Sequence, residues 1–251
     1  VRAATTPGHL VWSRPEDAPL LVRLGRGTVE SQVVWTEDGT ADRLPLPDAP
    51  VTLDLSACGA FAVTGPLADR VVDGIIGQLL VLHPPRHVVV RTDRRAWSSA
   101  PHARVGSAGD LLAETTATLR MRADRQGWLP SARTDPDVVL VVDAASLDGE
   151  DLATLIALLG ETRGGRTGVH VVVTGLMPQP GAVVLETSST GRGLLTHADG
   201  GSVEVTVDGV TADWVGRISQ ALAPLRDGGG PGEELPGEVS LREVLAASGL
   251  E

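Results

Sequence analysis

The sequence contains no lysine, no asparagine and no tyrosine, and only one cysteine, Cys58, and one phenylalanine, Phe61. Each absence removes a class of chemistry. Without lysine the chain can build no phosphate-loop lysine, no Schiff base and no Ser-Lys dyad. One cysteine excludes an internal disulfide framework and a cysteine-rich zinc site. Aromatic residues are 2% of the chain, so stacking platforms for single-stranded nucleic acid are scarce. No stretch approaches the ~20 apolar residues needed to cross a bilayer as a helix. The opening residues are polar and carry Pro7, without the apolar core of a signal peptide. Positive charge is also scarce. The 21 basic residues, all arginine, face 32 acidic ones, for a net charge of -11. That balance argues against non-specific DNA or RNA binding, while leaving room for a local arginine patch. No nucleic acid is expected as a partner.

Several familiar site patterns are missing too. The histidines, His9, His83, His87, His102, His170 and His197, never fall into HxxxH or HExxH spacing, so no metal is expected. His83 and His87 flank a Pro-Pro turn and read as surface residues. GxSxG is absent. Gly25-Arg26-Gly27 lacks the third glycine of GxGxxG and follows no parallel strand.

What is present is a globular pattern. The chain has 251 residues, 42% of them hydrophobic, punctuated by 30 Gly and 17 Pro. A chain of this size buries a full core without staples. Residues 1–50 read as a lead-in followed by a small β unit, its short apolar runs at Leu20–Leu24 and Val33–Trp35; Pro45, Pro47 and Pro50 then break regular structure. Residues 51–226 alternate strand and helix patterns. Strands are expected at Val51–Leu55, Ala60–Thr64, His87–Thr92, Val138–Val142 and Val169–Thr174. Helices are expected at Leu67–Leu82, Ala108–Arg125 and Leu152–Leu159. Strands apolar on both faces and alternating with helices define a doubly wound α/β domain with a mainly parallel sheet. Residues 182–207 read as an antiparallel extension, and Thr211 as the cap of a last helix. Residues 227–251 are a Gly/Pro linker and a short amphipathic helix, whose apolar stripe Leu241, Val244 and Leu245 lacks a partner within the domain.

Three constellations bear on chemistry. The turn after Ala60–Thr64 places Gly65, Pro66 and Arg70 where a phosphate-binding loop would lie. It is too short, lacks the second glycine and the lysine, and sets Asp69 at a helix start, where a carboxylate favours the helix and repels phosphate. It reads as a plain βα turn or as a weak anion site on the helix amides. Asp143 ends an apolar strand as a magnesium-orienting aspartate does, but Ala144 follows it instead of an acid. Asp143 therefore reads either as a remnant of such a site or as a loop cap. Arg94, Arg95 and Trp97 form a basic pair with an indole: a partner contact, or a loop anchor at the sheet edge.

These landmarks, taken in order, resemble one family, the actinobacterial FtsK/SpoIIIE-type ATPases that include the EccC component of type VII secretion. LVWSRPEDAPLLVRLGRG (Leu10–Gly27) is similar to the family tract LWxRRPxDPxFLxLRxG. VTLDLSACGAFAVTGPLADRVVDGIIGQLLVLHPP (Val51–Pro85) tracks the next conserved section. Trp97 with Pro101-His102-Ala103-Arg104, the strand Val138–Ala144, and LPGEVSLREVLAASG (Leu235–Gly249) complete the series. The second Trp of the family's paired-tryptophan element is missing, and Ala144 replaces the usual Gly. The resemblance implies a degenerate RecA-like segment that precedes the motor modules of a membrane-anchored translocation ATPase, at the cytoplasmic face of the membrane. It implies a non-catalytic scaffold or regulatory role, with no cofactor in this chain and ATP and Mg in the parent's motor domains. Partners would be adjacent ATPase domains of the same polypeptide and other secretion-complex or translocase subunits, with a homo-oligomer open to the parent. Two other readings stand beside it: an active nucleotide-binding ATPase domain in which Arg70 replaces lysine, and a module of a DNA translocase. Arginine fits a compact phosphate nest poorly, which disfavours the first of these.

Overall fold

The protein is described by a computed structural model that covers residues 11–15, 18–37, 40–126, 135–162, 167–176 and 182–225. The stripe Leu241, Val244 and Leu245 lies outside the described residues. In chain order the elements are β1 (Leu21–Glu37), β2 (Thr40–Asp54), a single turn α1 (Leu55–Cys58), β3 (Ala60–Thr64), α2 (Ala68–Leu82), β4 (Val88–Thr92), β5 (Ala103–Val105) and α3 (Ala108–Gln126). Then follow β6 (Asp137–Asp143), α4 (Gly149–Glu161), β7 (Val169–Thr174), β8 (Val183–Thr187), β9 (Arg192–Thr196), β10 (Ser202–Val207) and α5 (Ala212–Leu222).

The ten strands among the described residues join one sheet, in the order β2-β1-β10-β9-β8-β3-β7-β6-β4-β5. From β8 to β5 neighbouring strands run parallel. From β2 to β8 they run antiparallel. Read by chain order among β3, β4, β6, β7 and β8, the parallel part is arranged 5-1-4-3-2. Its first strand, β3, therefore lies second from the β8 end, and the chain winds to one side of it and then the other. The β-strand alternation fills two cores. Val139 and Val141 of β6 face α2 and α5, with Phe61, Val63, Ile75, Ile76, Leu79 and Ile218. Leu140 and Val142 face α3 and α4, with Leu111, Leu112, Leu155 and Leu158. No helix among the described residues is long and apolar enough to cross a membrane.

Five expectations change. The small N-terminal β unit is a long hairpin continuous with the sheet, because Gly25, Arg26 and Gly27 pair with β10. The boundary expected at residue 51 falls inside β2. Pro45, Pro47 and Pro50 do not end regular structure: β2 is the sheet's edge strand, where a missing N–H costs no ladder bond, and the β1–β2 register shifts between Gly27 and Val29 and between Glu30 and Val34. β8 pairs parallel with β3 and antiparallel with β9, so the antiparallel extension begins one strand later than its pattern suggests. His83 is 2% exposed, packed at the end of α2.

Local polar bonds explain the joints. Arg23 pairs with Thr52 on β2, but β10 pairs with β1 only from Gly25 to Gly27, and the Gln78 side chain takes up the Arg23 backbone groups. Arg23 N–H donates to Gln78 Oε1 (2.8 Å), and Gln78 Nε2 donates to Arg23 O (2.9 Å). Asp148 caps α4 by accepting from the Glu150 and Asp151 amides, and Thr211 caps α5 by accepting from the Trp214 amide.

Candidate functional site

In an open α/β sheet the ligand crevice lies beyond the carboxyl ends of the strands, where the winding changes direction. Here that place is the end of β3, flanked by β7 and β8. A cavity of about 500 Å³ opens there, lined by Thr64, Gly65, Ala68 and Asp69, by Asp143 and Ala145, by Thr174, Gly175 and Leu176, and by Glu186.

The β3–α2 turn is the part that would hold phosphate. A phosphate nest needs successive backbone amides free to donate into one point. Pro66 has no N–H. Leu67 N–H donates to Thr187 Oγ1 (3.1 Å), and Ala68 N–H donates to Gly65 O (3.1 Å). The Thr187 hydroxyl in turn donates to Thr64 O (2.7 Å). It therefore satisfies both sides of the turn. Gly65 has φ +89°, and a Cβ there would collide with the Thr187 carbonyl oxygen, so the end of β8 lies directly against the turn. Gly is required twice over at this position, by backbone conformation and by space.

The charged groups point the same way. Among the described residues the cavity's lining carries three carboxylates, of Asp69, Asp143 and Glu186, and no basic side chain. Arg70, the candidate substitute for lysine, is not among the lining residues. Its Nε donates to Val210 O (3.2 Å), and Val210 N–H donates to Arg70 O (3.1 Å), which ties α2 to the segment before α5. Asp143 lines the cavity, but its Oδ1 accepts from Ala145 N–H (3.0 Å) as the cap of the following turn. Asp143 N–H donates to Asp93 Oδ2 (3.1 Å), which joins the ends of β4 and β6. Gly65, Pro66 and Asp143 are thus brought to one place, with Pro66 in the turn, while Arg70 is engaged elsewhere.

The basic pair separates. Arg94 is largely buried and bridges two acids of α2, Asp69 at 2.7 Å and Asp73 at 3.6 Å. Burial raises the Asp73 carboxyl above its ordinary range, and Arg94 offsets part of that rise. Arg95 is exposed. Trp97 is 0% exposed, so the reading of this indole as a partner contact is corrected. Its Nε1 donates to Asp73 Oδ1 (3.1 Å), and its ring meets Trp214 edge-on at 6.3 Å. Gly77 of α2 lies against both indoles.

Thr174, Gly175, Thr187 and Glu186 were not singled out by sequence reasoning. One signal was available. Val63-Thr64-Gly65 and Val173-Thr174-Gly175 repeat the same tripeptide at the ends of two adjacent strands, and both glycines have positive φ, +89° and +70°. Thr187 offers no such signal, because only the β3–β8 pairing brings it to the turn.

No family model and no curated protein sequence matches this chain. Solved structures do. One is Thermomonospora curvata EccC (ATPases 2 and 3) in complex with a signal sequence peptide, with a TM-score of 0.52 and 15% identity, over 83% of this chain and 43% of that one. A second is EssC (ATPases 2 and 3) from Geobacillus thermodenitrificans, with a TM-score of 0.53 and 11% identity, over 86% of this chain and 51% of that one. A third is the pCW3 conjugation coupling protein TcpA, with a TM-score of 0.52 and 13% identity, over 86% of this chain and 75% of that one. The chain spans less than half the length of the EccC chains it matches, 43% and 31%. These likenesses establish the fold: a RecA-like α/β architecture with a mixed, ten-stranded sheet among the described residues.

Proposed function

We propose that this chain is a non-catalytic, RecA-like module of a membrane-anchored translocation ATPase of the FtsK/SpoIIIE type, acting through protein–protein contacts. The observation that carries the reading is the β3–α2 turn, where Pro66 has no N–H and the Leu67 and Ala68 amides donate within the protein. The three carboxylates of the lining and the absence of lysine support it. Transfer of a γ-phosphoryl group needs amides and cations arranged around the phosphates. This turn offers Thr187 in their place. The secretion ATPases EccC and EssC and the coupling protein TcpA share the fold, which supports a translocase as the parent and further ATPase domains beside this one. Protein is the favoured cargo, because the net charge of -11 opposes a nucleic-acid track.

Calorimetric titration with Mg-ATP and a steady-state phosphate-release assay test the reading. No binding heat at micromolar protein and no release above the buffer control are expected. Magnesium-dependent micromolar binding, or release abolished by Asp143→Ala, would falsify it. Fluorescence anisotropy with duplex DNA at ~150 mM salt tests the cargo: tight binding lost in Arg95→Ala would favour a DNA translocase.

A further inference from the structure

We propose that a second copy of this chain docks on the open face of β8, β9, β10 and β1, through reciprocal Arg192–Glu204 ion pairs around Leu194; this is independent of whether the β3–α2 turn takes phosphate. The four strands run antiparallel. Leu185, Leu195 and Val205 turn one face into the core that α2 and α5 close. Side chains alternate along a strand, so Glu186, Arg192, Leu194, Glu204 and Thr206 lie on the other face. All five are exposed, and with Arg26 they line one open groove. The core under α3 and α4 reaches Val184 of β8, and among the described residues it takes nothing from β9, β10 or β1. Leu194 is 39% exposed and stands between two glutamates, paired with Glu204 on β10 and with Glu186 on β8. Arg192, two residues before it, lies opposite Thr206. Among the described residues no ion pair takes up Arg192, Glu186 or Glu204, whereas Asp48 holds Arg26 at 2.8 Å.

An exposed leucine or a solvated charge is ordinary by itself. The spacing is what selects the occupant. A cation lies about 7 Å from the leucine along the strand, and an anion about 5 Å from it across the strands. A two-fold axis over Leu194, in the plane of the face and midway between those two directions, sets Arg192 of each copy over Glu204 of the other. The strands then cross at about 90°, one of the two ways in which sheets pack face to face. Leu194 meets Leu194 at the centre. An axis along the strands or across them instead sets Arg192 on Arg192 or glutamate on glutamate. Glu204 is the partner rather than Glu186, because Glu186 stands on β8, beside the α3–α4 layer. Nucleic acid or a free phosphate meets two carboxylates here, and a basic peptide leaves Arg192 without a partner. A second copy supplies both signs at one spacing, as an isologous interface does. The face covers roughly 400 Å² per copy, half of what a standard interface buries, so the association is weak and the ion pairs set its orientation.

The test is sedimentation equilibrium of the full chain from micromolar to near-millimolar concentration. A monomer at the low end and a monomer–dimer equilibrium at the high end are expected. Arg192→Glu and Glu204→Arg should each weaken self-association by about tenfold, because one change sets two like-charge pairs across the two-fold axis. Mixed one to one, the two variants should pair with each other as tightly as the parent pairs with itself, since both ion pairs re-form with exchanged signs. The chain carrying both changes should self-associate like the parent. Leu194→Asp should abolish the dimer. Arg217→Glu, exposed on α5 at the opposite face, matches the charge change of Arg192→Glu and should leave the dimer unaltered. A chain that stays monomeric throughout, association that survives Leu194→Asp, a mixture no tighter than the single variants, or an equal loss in Arg217→Glu would overturn the interface while leaving the proposed function intact.

Discussion

The two ends of α2 belong to one helix but to different traditions. In a nucleotide-binding α/β fold the N-terminal end of the helix after the first strand faces ligand, while the C-terminal end is structural. Here both ends are closed by segments remote in sequence. At the N-terminal end Thr187, 120 residues from Leu67, takes the amide. At the C-terminal end three orphan carbonyls find donors: Leu80 O from Trp12 Nε1 (3.1 Å), Val81 O from Trp12 N–H (2.8 Å) and Leu82 O from Arg14 N–H (3.1 Å). Trp12 adopts φ 55°, an uncommon left-handed conformation for a tryptophan, while delivering two of those bonds. The comparison teaches that in this chain the N-terminal end of α2 is tied down by bonds within the protein as firmly as the C-terminal end. α2 is a strut held at both ends, which suits the non-catalytic role proposed above.

The middle of the strut gives the largest expected effect. Trp97 packs against α2 at Gly77 and bonds Asp73, fully buried. Trp97→Ala should destabilise the chain by about 3–5 kcal/mol in a urea melt, from lost transfer energy plus the cavity left behind. Gly77→Ala should cost about 1–3 kcal/mol by overpacking, since its Cβ would stand 2.8 Å from Trp214 Cζ3 and 3.2 Å from the Trp97 ring. A neutral result for either would remove the premise that the two ends share one rigid element.

The ends themselves come next. Trp12→Ala removes one donor to α2 and an edge-on contact with the His102 ring at 5.9 Å. A loss of about 2 kcal/mol is expected. At the other end Thr187→Ala leaves the Leu67 amide and the Thr64 carbonyl without their partner, for about 1–2 kcal/mol, and Thr187→Ser should recover most of it. If the N-terminal end still behaved as a ligand site, pyrophosphate would raise the melting temperature of Thr187→Ala but not of the parent. No such gain is expected, because Pro66 and the acids remain.

How far the sequence carries this picture differs along the same helix. The 3.6-residue spacing of Val71, Val72, Ile75, Ile76, Leu79 and Leu80 makes α2 legible, and the valine runs make β4, β6 and β7 legible, because burial on one stripe or two faces leaves a periodic trace. The turn's departures, Pro66 and the missing lysine, are also legible, since each is a residue type. The joints are not. Thr187 and Trp12 act through pairings 120 and 68 residues apart, and nothing local marks them. Asp143 illustrates the limit: both its readings share the pattern of an apolar strand ending in Asp, and only the bond to Ala145 N–H distinguishes the cap. β2 misleads for a related reason. Its prolines forbid a central strand, but only topology reveals an edge.

The smallest effect expected at neutral pH, and the one that separates the two ends most cleanly, comes from His83. It closes α2 with its N–H on Leu79 O and is buried, and burial, with Arg14 and then His87 nearby, lowers its pKa from 6.5 to about 4. The unfolded chain therefore binds a proton that the folded chain refuses between pH 6.5 and about 4. Stability contributed by neutral His83 is complete above pH 6.5 and declines as pH falls through that window. With allowance for partial solvent screening, the decline between pH 7 and pH 5.5 should be about 1 kcal/mol or less. A helix C-terminus ordinarily favours a cation, so the sign is informative: here desolvation outweighs the dipole. His83→Gln should leave stability at pH 7 within about 0.5 kcal/mol and flatten the profile between pH 6.5 and 5, measured by urea midpoints at half-unit steps. Thr187→Ala, at the other end, should shift the whole profile down without changing its slope. If both variants kept the parent slope, His83 would not be the titrating group, and the C-terminal end of α2 would be indifferent to protons in this range.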